Sequence, residues 1–178
     1  MQPNLDSEKL VFIDESSAKT NMTRLRGRAP KGERAHDSAP CGNWNTTTMI
    51  SSIRSSAETA CMVIDGAITT EIFRVYVSEI LIPTLRAGDI VIMDNLSSHK
   101  CSKTLELIAK AGAVPIFLPA YSPDLNPIEK MWSKVKEYLR SAKARTEESL
   151  YEAIGNALKS VTMSDAVNWF ASCGYSFS

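Results

Sequence analysis

The stretch IVIMDNLSSHK (residues 90–100) decides the fold. Its opening run is too short for a helix and too unbroken for a half-exposed strand. It therefore reads, over Asp89 to Asp94, as a strand buried on both faces, the kind found in parallel pairing. A helix over about 100–111 follows, and then a second apolar strand, AVPIFL at 113–118. Strand, helix and strand in succession imply a right-handed parallel crossover. Asp94 closes the first of these strands, and in open α/β sheets ligands gather outside the strand C-termini.

Working outward, VFIDES (11–16) repeats the arrangement: Lys9 to Asp14 reads as a buried strand with Asp14 at its C-terminal end. Residues 24–43, rich in Gly, Pro and Arg, read as a long loop or irregular hairpin. Two β-rich runs at about 44–53 and 58–65 end in the turn pair Asp65-Gly66, so the first three strands form an antiparallel meander. Thr69-Thr70-Glu71 starts an amphipathic helix whose apolar positions are Ile72, Phe73, Tyr76, Val77, Ile80 and Leu81, with Pro83 near its end. LPAYSPDLNPIEKMW (118–132) leads into a helix over 127–143 with Glu129 in its first turn. Helices over 146–160, capped by Thr146, and 162–171, capped by Thr162 or Ser164, complete the chain. The sum is one α/β domain: a mixed five-stranded sheet flanked by helices, with a helical C-terminus.

Asp14, Asp94 and Glu129 thus arrive at one edge of a sheet from three elements. Three carboxylates make a hard-oxygen ligand set suited to Mg²⁺ or Mn²⁺ and to phosphoryl chemistry, in which two ions activate an attacking water and stabilise the leaving oxygen. Each residue also has a plain structural reading. Asp14 and Asp94-Asn95 suit turns. Asn126, Pro127 and Glu129 form the pattern of N-cap, first helical residue and capping-box partner, which would occupy the Glu129 side chain. Glu15 points to the face opposite Asp14, Asp124 suits the Ser-Pro-Asp turn, and Asp89 lies at the far end of its strand. The stripe of Ile128, Met131, Trp132, Val135, Tyr138 and Leu139 reads as core packing, and Trp44 and Trp169 as core or interface.

These segments resemble the catalytic domain of DDE transposases of the mariner-like superfamily, specifically the insertion-sequence 630 family. The phrase Ser122-Pro123-Asp124-Leu125-Asn126-Pro127-Ile128-Glu129 resembles that family's third motif, and 34 residues (95–128) separate Asp94 from Glu129 in keeping with its signature. Similarity runs from about Leu10 to about Tyr175. It implies a ribonuclease-H-like fold and selects Asp14 over Glu15. Asp14, Asp94 and Glu129 become the catalytic metal ligands for Mg²⁺ or Mn²⁺, two ions in number. The implied reaction is hydrolysis at transposon ends followed by 3′-hydroxyl attack on target DNA at TA sites. A homodimer assembled on DNA is implied as well. A non-catalytic DNA-binding or assembly remnant, or a nuclease without strand transfer, stands as the alternative. Relatives carry an N-terminal helix-turn-helix region, which this chain, starting a few residues before its first strand, is expected to lack: it reads either as the downstream product of a two-frame element, partnered by an upstream-frame helix-turn-helix subunit, or as a truncated remnant or excised domain.

Asn95 and His99 match the family's Asp-Asn-x-x-x-His phrase, so His99 either contacts a phosphate or leaving group, or caps the following helix. Tyr121, in the loop before Glu129, suits stacking on a base or local packing. The net charge of the 178 residues is zero, yet basic residues cluster. One cluster is Lys19, Arg24, Arg26, Arg28, Lys31 and Arg34; the other is Lys130, Lys134, Lys136, Arg140, Lys143 and Arg145. Both adjoin carboxylate segments, and Arg26, Arg28, Lys130, Lys134, Lys136 and Arg140 are read as phosphate contacts. Four cysteines without CxxC spacing read as reduced thiols. With 44% hydrophobic residues, no signal-like start and no bilayer-length apolar run, a bacterial cytoplasmic protein with no membrane partner is expected.

Overall fold

The computed structural model describes residues 6–38, 40, 41, 44 and 46–175. Five strands, β1 (Leu10–Ala18), β2 (Thr47–Ile53), β3 (Thr59–Asp65), β4 (Ile90–Met93) and β5 (Val114–Phe117), form one sheet in the order β3-β2-β1-β4-β5. β1, β2 and β3 pair antiparallel; β4 joins β1 in parallel, and β5 joins β4 in parallel. This is the mixed five-stranded sheet expected from the sequence. The first residues of the second expected strand fall partly outside the described residues.

β1 is longer than its apolar run. Its pairing with β4 covers Leu10 to Phe12 only, whereas its pairing with β2 continues from Phe12 to Ala18. Asp14 therefore does not end the strand; it stands just beyond the last parallel pair, where β1 projects as half of a hairpin. The correction leaves its place at the sheet edge intact, because β4 has already ended at Met93 and Asp94 follows at once.

Alternation along the strands supplies both faces of the sheet with core. Leu10, Phe12, Met49, Ile53 and Ile92 pack against the C-terminal helices α3 (Ile128–Ala142), α4 (Glu147–Lys159) and α5 (Met163–Ser172). Val11, Ile13, Ile50, Val91 and Met93 face Phe73, Tyr76, Val77 and Leu81 of the first helix and Ile108 of α2 (Ser102–Lys110). The first helix is α-helical only over α1 (Thr70–Val75) and continues as a π-helix from Tyr76 to Leu81. There the Ile82 N–H reaches back to the Val77 carbonyl, and Pro83 has no N–H with which to restore the tighter ladder. β5 is an edge strand, and its Pro115 is tolerated there.

The helix that carries Glu129 is seated by spacing. Ile128, Met131, Trp132, Val135 and Leu139 recur on one face of α3 and are all buried. Tyr138 departs from the expected stripe and lies exposed beside the 24–26 loop. From α5, Phe170 packs edge-on against Phe12 with centroids 5.3 Å apart, and the Tyr175 hydroxyl donates to the Leu125 carbonyl at 2.8 Å. That bond holds the turn Pro123–Leu125 that leads into α3. Thr146 and Thr162 each close a capping box, with Ser149 and Asp165 respectively.

Candidate active site

Asp14 is carried by the centre strand, Asp94 by the residue after β4, and Glu129 by the first turn of α3. The capping box read for Asn126 and Glu129 does not form. Pro127 occupies the N-cap position with no side-chain hydrogen bond, and the buried Asn126 Oδ1 has no partner. The Glu129 carboxylate is consequently not consumed by the helix end and stands exposed at the sheet edge.

Asp14 is only 8% exposed. Burial drives its carboxyl up to about 7, against a lowering hydrogen bond from the Glu15 amide, and the charges of Glu129, Glu15 and Asp94 raise it further. The acids are thus near enough for their charges to act on Asp14, and among the described residues no basic side chain forms an ion pair with it. Asp94 differs: burial raises its carboxyl, but His99 and the Leu96 amide more than offset this and hold it low.

His99 does not cap the helix that follows it. It is fully buried. A short 3₁₀ turn, Ser97–Lys100, turns the imidazole inward, where it stacks on Phe73 with centroids 4.2 Å apart. Nε2 lies 2.7 Å from Glu15 Oε1, and Nδ1 lies 2.8 Å from Asp94 Oδ1 at an angle poorer than a good hydrogen bond. Burial alone would lower the imidazole, yet the two carboxylates hold it charged, at about 9. Glu15 does face away from Asp14, as alternation requires, and this puts it on the side where His99 waits. The sequence reading missed this contact, which spans 84 residues.

Asn95 ties the loop after β4 to the end of β5, its Nδ2 donating to the Leu118 carbonyl at 2.6 Å. Tyr121 is 102% exposed with φ of 58°, an aromatic held in the left-handed region with no packing of its own. Arg24, Arg26, Lys134, Tyr138 and Arg140 line one groove of about 670 Å³ between the long loop and α3. Arg28 lies beside the neighbouring hollow with His36 and Asp37. Lys134 is already engaged, donating to the Ser160 carbonyl at 2.9 Å and to Asp165 at 2.5 Å. Lys130 is exposed and Lys136 partly so. Lys143 and Arg145 bind the segment that follows β1 instead, through Asp37 and through the carbonyls of Thr20 and Met22.

The family model of the DDE superfamily endonucleases matches residues 9–151, from the start of β1 into α4. The chain belongs to this family. Among curated proteins, none matches it. Solved structures share the fold. A pre-cleavage Mos1 transpososome superposes with a TM-score of 0.70 at 14% identity, over 96% of this chain and 57% of that one. A Mos1 mariner paired-end complex with Mn gives 0.67 at 16%, over 96% and 57%. The catalytic core domain of BIV integrase gives 0.56 at 16%, over 86% and 82%. The DDE domain therefore has the ribonuclease-H-like architecture of transposase and integrase cores, and it spans little more than half of the Mos1 chains in these two complexes.

The donor set fits a hard divalent cation: carboxylates alone, one of them buried and raised by its neighbours. Among the described residues, however, no three His, Cys, Asp or Glu side chains stand close enough to hold an ion as they are placed. Likewise among those residues, no helix is long and apolar enough to cross a membrane.

Proposed function

We propose that this DDE domain cleaves DNA at transposon ends and joins the resulting 3′-hydroxyls to target DNA, with Asp14, Asp94 and Glu129 holding two Mg²⁺ or Mn²⁺ ions. The observation that carries the reading is Asp14, buried where three elements meet, with its carboxyl raised by burial and by the charges of Glu129, Glu15 and Asp94. A buried carboxylate among like charges is costly to ionise, and a divalent ion removes that cost. Bound there, the ions supply Lewis acidity and a lowered pKa for a coordinated water.

The chain's own residues do the rest. The rigid centre strand and the first turn of α3 fix two ligands on elements with little freedom, and Asn95 holds the loop that carries the third. The exposed arginines of the 24–28 loop, with Lys130, Lys136 and Arg140, offer charge to a phosphate backbone and make binding salt-dependent. Tyr121 offers a free aromatic face to an unstacked base. Mos1 is seen with Mn in a paired-end complex, which supports divalent metal use. From the family resemblance of the sequence motifs, we extend the proposal to TA targets and to a homodimer assembled on DNA.

Cleavage of an end-mimicking duplex by the purified protein, with Mn²⁺ and with chelator, tests the reading. Metal-dependent cleavage that vanishes in Asp94→Asn is the expected result. Cleavage retained by that variant would remove the three acids from the chemistry. Cleavage without joined products in a strand-transfer assay would reduce the activity to a nuclease.

A further inference from the structure

Asp94 is the one acid of the three held by a loop, and its carboxylate has two unequal oxygens. Oδ1 accepts from the Leu96 amide at 3.0 Å and lies 2.8 Å from His99 Nδ1. Oδ2 has no hydrogen-bond partner among the described residues. Behind His99 stands Glu15, 2.7 Å from Nε2, on a strand that cannot move without disrupting its pairing with β2. Phe73 closes the ring's face. The result is a continuous brace from β1 through the imidazole to Asp94. A buried ionic contact of this kind adds little net stability compared with an apolar filling. What it supplies is orientation.

We infer that Glu15 and His99 are positioning residues that pin Oδ1 of Asp94 to the protein and leave Oδ2 to serve the divalent cation. The inference rests on the proposed metal site. It gives the Asp14-Glu15 pair a division of labour: one acid faces the ions, and its neighbour orients another ligand from the opposite face of the sheet. Partners that orient ligands commonly govern metal affinity by about 10–100-fold.

Simple electrostatics and positioning predict opposite outcomes at His99. Whatever charge the ring carries opposes a nearby cation, so if charge alone mattered, removing the ring should leave Mn²⁺ binding equal or tighter. If His99 orients Asp94, removing it should weaken binding. Calorimetric titration with Mn²⁺ alone, on the parent, Asp94→Asn, His99→Leu, His99→Asn and His99→Gln, separates the two.

His99→Leu keeps the apolar contact with Phe73 and is expected to bind Mn²⁺ at least about tenfold more weakly than the parent. His99→Asn places an amide N–H near the position of Nδ1 and is expected to recover part of that loss. His99→Gln places its N–H toward Glu15 and recovers less. Circular dichroism at the titration temperature confirms that each variant is folded, and if His99→Leu is not, the Asn–Gln difference carries the test. A merely structural ring would lower the melting temperature without moving affinity in the folded protein. Equal or tighter Mn²⁺ binding by folded His99→Leu, or identical affinity in the Asn and Gln variants, overturns the inference alone. A parent that binds no Mn²⁺, or an Asp94→Asn variant that binds it unchanged, overturns the proposed metal site as well.

Discussion

Where β2 finishes and β4 begins, Arg54 and Asp89 are each 2% exposed and paired through two guanidinium nitrogens, at 3.0 and 2.5 Å. The Arg86 amide and the Thr84 carbonyl complete the arrangement. At the opposite end of the sheet, four acids, Asp14, Glu15, Asp94 and Glu129, gather around the imidazolium of His99, with Lys100 adding its charge near Asp94. Both ends bury charge, but the first neutralises it within the chain and the second leaves a surplus of negative charge. Burial raises Asp89, yet Arg54 more than offsets this and holds it low, whereas Asp14 is pushed up to about 7. An enclosed charge that serves the fold brings its own counter-ion; the surplus at the far end is the charge that the proposed metal ions would neutralise.

The contrast can be broken most forcefully by substitution at each end. Asp94→Asn should reduce cleavage by about a thousandfold or more, the worth of several kcal/mol of charge stabilisation, while urea denaturation finds the fold unimpaired. Arg54→Ala should do the reverse. It strands a buried carboxylate and should lower the unfolding free energy by about 3–5 kcal/mol. A loss below about 1 kcal/mol would show that the two ends are not built differently.

A finer test uses pH in the presence of chelator. The folded carboxyl of Asp14 titrates above its unfolded value of about 4, so its favourable contribution is complete below about pH 4 and is lost as pH rises through about 7. A tenfold change in proton affinity corresponds to about 1.4 kcal/mol, so stability should fall by a few kcal/mol across that window, and Asp14→Asn should remove the decline. Asp89 has the opposite sign: held low, it stabilises above the ordinary carboxylate range and loses that contribution only on acidification below it. A flat profile between pH 4 and 7 in the parent would contradict the surplus of negative charge.

The smallest effect expected is at the basic face of α3. Lys136→Ala should weaken DNA binding and reduce the slope of log K against log salt by about 1. Lys134→Ala should change the slope less, because its ammonium already binds Asp165 and Ser160. Equal slope changes, read by fluorescence anisotropy across a salt series, would show that the pairing with α5 yields to DNA.

The sequence displayed what depends on period and on local chemistry. The unbroken run before Asp94, the alternation into α2 and β5, the apolar spacing of α3 and the threonine caps of α4 and α5 are all visible along the chain. Asp94 and Glu129 stand at element boundaries that flanking residues mark, whereas Asp14 stands inside β1, where only the end of the apolar run singles it out. The Glu15–His99 contact and the Arg54–Asp89 pair could not, since each joins residues far apart in the chain and depends on which strand lies beside which. The face opposite Asp14 was correctly assigned to Glu15, but alternation gives a direction and not a partner. The overhang of β1 escaped for a related reason: Glu15-Ser16-Ser17 is polar, and only pairing with β2 keeps it extended. The absent capping box at Glu129 shows the converse, a strong local pattern overruled by the turn that Tyr175 holds in place.

The strand order has a consequence for how the molecule is made. β1 lies at the centre of the sheet, and its parallel partner is 80 residues downstream, Leu10 opposite Ile90. As the chain emerges from a ribosome, β1, β2 and β3 can close as local hairpins, while the other edge of β1 stays open until β4 has been synthesised. Glu129 comes later still. The nascent domain therefore passes through a stage with an exposed apolar strand edge and an incomplete acidic cluster, a period of vulnerability to misassociation before the proposed site has assembled.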